Sequence, residues 1–278
     1  MNKIKNLIKG ILNKIGFELV RNKYKYYEID RLNKLKRAHF AFPAFPILKA
    51  FKTNKSKKIF QEIRKQKKEI IKQGCIKDYQ INNNFYFSPD AEVCSAIVCS
   101  VKPKQIIEIG SGNSTKLLRA ILKNNKICCN LTCVDPDPRI DIKDVADQVT
   151  NKRFEDSNYK KIITKLNKKD ILFIDSSHEI KPANDVVKII LDVLPKLKSG
   201  VIIHIHDIFL PYEYPKEWIV NKHWPWTEQY LVQALLTGSS QYEVLWAGHY
   251  FQKTMPKFSR YFPLWQGKDA SSLWLRKK

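Results

Sequence analysis

The chain lacks any run approaching the ~18 continuous apolar residues that span a bilayer, which excludes a helical integral membrane protein. Its first residues also lack the unbroken apolar core of a signal peptide, so the expected compartment is the cytoplasm. Its six cysteines (Cys75, Cys94, Cys99, Cys128, Cys129 and Cys133) form no C-x-x-C pair and no Cys/His ladder of zinc spacing. They read as reduced, small apolar residues. Acidic residues are scarce: 27 Asp and Glu stand against 50 Lys and Arg, a net charge of +23. What the 278 residues do have is 44% hydrophobic content, ordinary for a chain that buries a core.

The charge is uneven. Residues 1–77 hold 22 basic and five acidic side chains, leaving +6 for the rest. Such asymmetry suits an anionic partner: membrane surface, acidic glycan or nucleic acid. A solvated basic face is an equally good account. Ile4, Leu7, Ile8, Ile11, Leu12 and Ile15 recur at helical spacing, with Lys3, Lys5, Lys9 and Lys14 largely between them. This is a basic amphipathic helix ending at Gly16. Residues 1–20 are thus a candidate peripheral contact with an anionic membrane at the inner face. Packing on a second subunit, in a homo-oligomer, or on the chain's own core would use the same stripe. Tyr24–Leu35 predicts a second helix, Phe40 to Pro46 an aromatic and proline-rich break, and Ser56–Gln73 a charged helix ending at Gly74.

The texture changes near Phe85, which divides the chain into a basic helical extension, 1–84, and an α/β domain, 85–278. Ser88-Pro89-Asp90-Ala91-Glu92 predicts a helix start, and Ala91–Val101 a buried helix. Gln105–Ile109, Leu131–Val134, Asp170–Ile174 and Val201–Ile205 predict short buried strands. They alternate with helices at Lys116–Leu122 and Asp185–Leu194. That alternation implies a doubly wound, mostly parallel, Rossmann-like sheet. Glu243–Ala247 and Ser272–Leu275 predict an antiparallel C-terminal hairpin.

Three strand ends carry chemistry. The first is Ile106-Ile107-Glu108-Ile109-Gly110-Ser111-Gly112-Asn113-Ser114-Thr115. Here an apolar strand enters a glycine turn that lets backbone approach a ligand at the strand's carboxyl end, and a helix follows. A lone Gly-x-Gly also marks plain tight turns. Glu108 sharpens the signal, because a carboxylate inside a strand is costly without a partner. Thr115 stands where a dinucleotide fingerprint has its third glycine, which with Glu108 disfavours a nicotinamide dehydrogenase. Asp135 ends the second strand, 23 residues after Gly112, and suits ribose hydroxyls. The second strand end is Asp175-Ser176-Ser177-His178, and the third is His206-Asp207. His204, alternating with apolar neighbours, reads as a buried structural residue.

From Ile106 to Gly112, with Asp135, the chain resembles the class I S-adenosylmethionine-dependent methyltransferases. The resemblance implies that Gly110 and Gly112 line the methionine moiety of S-adenosylmethionine, that Glu108 supports their loop, and that Asp135 binds the ribose. Ser111, Ser114 and Thr115 are candidate hydroxyl contacts, and Asp175 matches the acid of the fourth strand. Asp175 to His178, together with His206-Asp207-Ile-Phe-Leu-Pro-Tyr-Glu-Tyr-Pro215, is similar to a bacterial subgroup called methyltransferase domain 24. Members of that subgroup are often linked to surface polysaccharide. The resemblance covers about residues 85–278. It implies O-methylation of a hydroxyl on a cell-surface glycan or related sugar.

An alcohol nucleophile needs a base or a metal. His178 is the first choice of base, since imidazole titrates near neutrality, with Asp207 and His206 next. Asp175 and Asp207, at adjacent strand ends, are a candidate Mg²⁺ pair. Tyr212, Tyr214, Trp218, Trp224, Trp226 and Tyr230 offer aromatic platforms for sugar rings, or packing for a sheet edge. The basic extension keeps open an RNA methyltransferase or nucleic-acid-binding protein, although no RNA-binding module and no N-P-P-Y motif is found.

Overall fold

The computed structural model describes residues 8, 10–12, 14, 23–35, 37–52, 55–65, 75–76, 79–80, 83–262 and 264–278. Its centre is a seven-stranded sheet: β1 (Gln105–Ile109), β2 (Asn130–Val134), β3 (Gln148–Thr150), β4 (Ile171–Ile174), β5 (Ile202–Ile205), β6 (Tyr242–Ala247) and β7 (Leu273–Lys277). The strand order is β3-β2-β1-β4-β5-β7-β6. The first five strands are parallel, and β7 runs antiparallel between β5 and β6. The expected doubly wound sheet and terminal hairpin are therefore present. β3 escaped the sequence pattern because it is three residues long and only partly buried at the sheet's edge.

The sheet is covered on both faces, so its central strands are apolar without alternating with polar residues. On one face pack α2 (Lys55–Lys65), α3 (Asp90–Val101) and α4 (Asn113–Asn124), against Ile106, Phe173 and Trp274 among others. On the other, the 185–196 helix and α5 (Glu228–Gly238) cover Ile107, Ile109, Leu172 and Ile174. Each fully buried Leu or Ile contributes about 1.5–3 kcal/mol. The 185–196 helix is not regular: Ile189–Val193 form a π turn just before Leu194–Lys196. Pro195 has no N–H to continue the ladder, and the wider turn absorbs the break.

The stripe from Ile4 to Ile15 lies largely outside the described residues. Ile8, Gly10, Ile11, Leu12 and Lys14 are helical, and Ile8 and Ile11 are exposed. The Tyr24–Leu35 helix is found as α1 (Lys23–Asn33). Of the predicted Ser56–Gln73 helix, α2 is described, and residues 66–73 lie outside the described set. α2 buries Ile59, Phe60 and Ile63 in the main core, with Phe60 4.5 Å from the Tyr261 ring and 5.0 Å from Trp246. Its lysines thus ride on a helix whose apolar side is part of the sheet's packing. Between α1 and α2, the amides of Ala44 and Phe45 both donate to the carbonyl of Pro211, at 2.9 and 3.0 Å.

Register positions the site. Ile109 pairs with Val134 and Ile174, and Ile174 with Ile205. Gly110, Asp135, Asp175 and His206 therefore leave the sheet side by side at its carboxyl edge. One more rung holds each of them: Gly110 N–H to Val134 O, Asp135 N–H to Thr150 O, Asp175 N–H to Ile109 O and His206 N–H to Ile174 O, all at 2.9–3.1 Å.

Candidate active site

That carboxyl edge floors a cavity of about 1210 Å³. Gly110, Ser111 and Asp135 line its β1–β2 side, and Asp175, His178 and Asp207 its β4–β5 side. The β1 turn is shaped by steric necessity. Gly110 has φ +77°, and a Cβ there would lie 2.0 Å from the carbonyl oxygen of Asp175. Only glycine lets the two strand ends come this close. A Cβ on Gly112 would meet nothing within 4 Å, so the second glycine leaves open space.

Glu108 is fully buried behind this turn. Its Oε2 accepts from Thr115 Oγ1 (2.7 Å) and Cys133 Sγ (3.2 Å). Burial pushes its pKa up to about 7, against the lowering effect of hydrogen bonds from Ser114 and Thr115. Thr115 Oγ1 also accepts the Gly112 amide at 2.9 Å. Its hydroxyl is therefore spent inside the protein, tying the turn to the strand. Gly112, Ser114 and Thr115 lie behind the cavity lining, where Ser114 and Thr115 hydrogen-bond to Glu108 and brace the turn. Ser111 and Asp135 do face the cavity, with Ser111 Oγ donating to Asp135 Oδ2 at 2.8 Å. The other oxygen, Oδ1, accepts the Asp137 amide. An open glycine turn beside a pinned carboxylate fits an amino-acid moiety next to a ribose, the parts of S-adenosylmethionine that Gly110, Ser111 and Asp135 would hold.

Across the cavity lies a cluster of charged groups. His178 Nε2 is 3.3 Å from Asp175 Oδ1 and 3.8 Å from Asp207 Oδ2. His206 Nδ1 is 3.5 Å from Asp175 Oδ1 and 3.6 Å from Asp207 Oδ2. The sequence-predicted catalytic residues His178, His206 and Asp207 thus meet at one place. Burial disfavours both imidazolium ions, but the surrounding carboxylates outweigh it. Asp175 and Glu228 hold His178 well above the usual imidazole range, and Asp207 and Asp175 raise His206 to about 9. Burial alone would raise the Asp175 pKa, yet the two imidazoles keep its carboxyl well below the carboxylate range. The same carboxylates favour the protonated ring, so His178 serves as a base only from its neutral form. Asp175, His178 and Asp207 each present a ligand atom, all within 4.8 Å of one another. Two carboxylates with a neutral imidazole fit a divalent cation, the carboxylates being the pair that suits Mg²⁺.

Three residues of this site escaped sequence reasoning. Glu228, at the start of α5, contacts His178 Nδ1 at 3.1 Å. Ser271, just before β7, donates to Asp207 Oδ1 at 3.0 Å. Asp90, fully buried at the start of α3, accepts the amides of Ser271 and Ser272 at 2.8 and 3.2 Å. Asp90 had a signal, one of two acids in the first turn of a largely apolar helix. The other two had none, because their meaning lies in pairings 50 and 64 residues away. Of the aromatic group, Tyr212 and Tyr214 are buried, and Tyr214 Oη accepts the Gln229 amide. Trp218, Trp224 and Trp226 are half-buried and line the cavity, with Trp224 and Trp226 stacked at 4.8 Å. His204 is structural, as expected: fully buried, 4.0 Å from the Phe173 ring and 4.5 Å from Trp274.

Comparison with known proteins agrees with this site. A family model described as a methyltransferase domain, Methyltransf_24, matches residues 107–208, the stretch from the glycine turn to His206-Asp207. Over that stretch the chain is similar to S-adenosylmethionine-dependent methyltransferase domains of that group. No curated protein matches the chain. Among solved structures, a methyltransferase from Thermobifida fusca, described as putative, is 13% identical over 80% of this chain and 94% of its own, with a TM-score of 0.43. The S-adenosylhomocysteine-bound methyltransferase PaMTH1 from Podospora anserina is 16% identical over 95% and 99%, with a TM-score of 0.41. A CmcI structure described as Mg-SAM is 15% identical over 66% and 69%, with a TM-score of 0.39.

Proposed function

We propose that the protein transfers the methyl group of S-adenosylmethionine to a hydroxyl of a sugar or glycan. One observation carries this reading: a single cavity joins the glycine turn and Asp135 on one side to the carboxylate–imidazole cluster and the half-buried tryptophans on the other. The sulfonium of the cofactor supplies an activated methyl group. The chain's task is then to position the two reactants and to accept the hydroxyl proton. Gly110 and Ser111 hold the amino-acid end of the cofactor, and Asp135 accepts from its ribose hydroxyls. The acceptor lies against Trp224 and Trp226, whose flat faces suit the C–H face of a pyranose. Its hydroxyl points at the cluster, where His178 and Asp207 are the groups that take the proton. A divalent cation held by Asp175, His178 and Asp207 would acidify a sugar diol there.

The test is methyl incorporation from labelled S-adenosylmethionine into a panel of sugars, glycans and RNA. Sugar methylation is expected; incorporation into RNA alone overturns the acceptor assignment. With the acceptor in hand, His178→Ala and Asp207→Asn are each expected to lower turnover by ~10²–10⁴-fold, the usual contribution of a general base. Affinity for S-adenosylhomocysteine should stay within about twofold in both. Activity lost to EDTA and restored by Mg²⁺ assigns the cluster to a metal. If EDTA has no effect and only Asp207→Asn is inactive, Asp207 is the base. Unchanged turnover in both variants, with and without EDTA, removes the chemistry from this cluster.

A further inference from the structure

We propose that Glu228 is a positioning residue that fixes the ring orientation and tautomer of His178, leaving Nε2 as the atom that works at the reacting end. This role rests on the methyl-transfer reading above. The geometry it draws on belongs to α5 and not to the strand ends.

Glu228 is completely buried, and both carboxylate oxygens have a partner. Oε1 accepts from Ser176 Oγ at 2.9 Å, and Oε2 lies 3.1 Å from His178 Nδ1. A carboxylate so placed accepts the Nδ1 proton, whichever state Nε2 is in. The same stretch of chain also grips the His178 backbone. The amides of Thr227 and Glu228 both donate to the His178 carbonyl, at 2.8 and 3.0 Å. Thr227 Oγ1 accepts the Ile180 amide at 2.7 Å. These bonds hold His178 in the left-handed region, at φ +61°, where a non-glycine residue persists only when its surroundings over-determine it. Trp226, two residues before Glu228, covers the imidazole with ring centroids 4.2 Å apart. Backbone, ring face and Nδ1 are thus all held by residues 226–228. Nε2 is the atom left facing Asp175 and Asp207.

The alternative is that Glu228 only fills and neutralises a buried space. A carboxylate behind a working imidazole sets which nitrogen carries the proton, and a space-filler does not. The protein has six histidines, so ¹⁵N-histidine labelling with the His178→Ala spectrum as reference identifies the ring. At a pH where the ring is neutral, the Nδ1 of wild-type His178 is expected at the shift of a protonated, hydrogen-bonded nitrogen, and Nε2 at that of an unprotonated one. Glu228→Ala should move the proton toward Nε2. Glu228→Gln, which keeps an acceptor oxygen, should retain the Nδ1 proton with a weakened signal. Calorimetry with S-adenosylhomocysteine on the same samples should give affinities within about twofold of wild type, showing that the cofactor side is intact. An unprotonated Nδ1 in the wild-type protein, or an Nδ1 signal unchanged in Glu228→Ala, overturns the proposal. If both variants fail to fold, the wild-type spectrum still decides it. Absence of S-adenosylhomocysteine binding by wild-type protein would instead count against the methyltransferase reading, while the spectrum still reports on the Glu228–His178 pair.

Discussion

Glu108 and Asp175 are acids carried by neighbouring parallel strands, yet the protein treats them in opposite ways. Glu108 sits inside β1, fully buried, with hydroxyl and thiol donors but no cation, and its pKa is pushed up to about 7. Asp175 sits at the end of β4 between two imidazoles, and its carboxyl stays charged far into acid. The difference separates the two halves of the cavity. The cofactor half is a shape, built from a glycine turn and braced by neutral hydrogen bonds. The acceptor half is a charge cluster, assembled from β4, β5, α5 and the start of β7.

If the cofactor half works by shape, the largest effect should come from adding a single methyl group to it. Gly110→Ala puts a Cβ 2.0 Å from the Asp175 carbonyl at φ +77°, so two strand ends must separate. Cofactor binding is expected to fall by more than 100-fold in calorimetry, with a clear drop in melting temperature. Retained affinity would mean that the turn is not the binding surface. A smaller effect should follow from Asp135→Ala, which removes acceptors for ribose hydroxyls. The expected loss is about 1–3 kcal/mol of S-adenosylhomocysteine affinity, with the charge cluster and its pH response unchanged. If Asp135→Ala binds cofactor normally but loses turnover, the division between the halves is drawn in the wrong place.

The two halves also differed in how far they could be read from sequence. The cofactor half lies within one continuous stretch: strand, Glu108, Gly110, Gly112, then the acid at the next strand end. Parallel pairing of β1 with β2 brings Asp135 beside Gly110 by register alone. Fold class and the terminal hairpin were legible for the same reason, since apolar runs and helices alternate along the chain. The acceptor half was legible only where its residues end a strand: Asp175, His178, His206 and Asp207. Glu228, Ser271 and Asp90 come from elements far away in sequence, and a first-turn Glu in a helix looks like ordinary capping chemistry. The role of the basic extension was masked in another way. The apolar positions of α2 pack into the main core, whereas charge counting sees only its lysines.

The subtlest test of the contrast is the pH dependence of stability. A carboxyl whose folded pKa is raised binds its proton more tightly in the native state than in the unfolded chain. Its stabilising contribution is complete below about pH 4.5, the unfolded value, and fades as pH rises through the folded value near 7. At about 1.36 kcal/mol per unit, the span from 4.5 to about 7 bounds the Glu108 contribution at roughly 3 kcal/mol. Glu92 is raised to about 7 by its own burial and adds a second slope of the same sign. Glu108→Gln carries no titratable proton and can still accept from Thr115, so it should remove part of the fall between pH 5 and 7.5. Its absolute stability should exceed that of wild type at pH 8. Urea melts across that range measure it directly, in the absence of any acceptor. An unchanged slope would mean that Glu108 is ionised and compensated in the folded protein, and the contrast with Asp175 would then collapse.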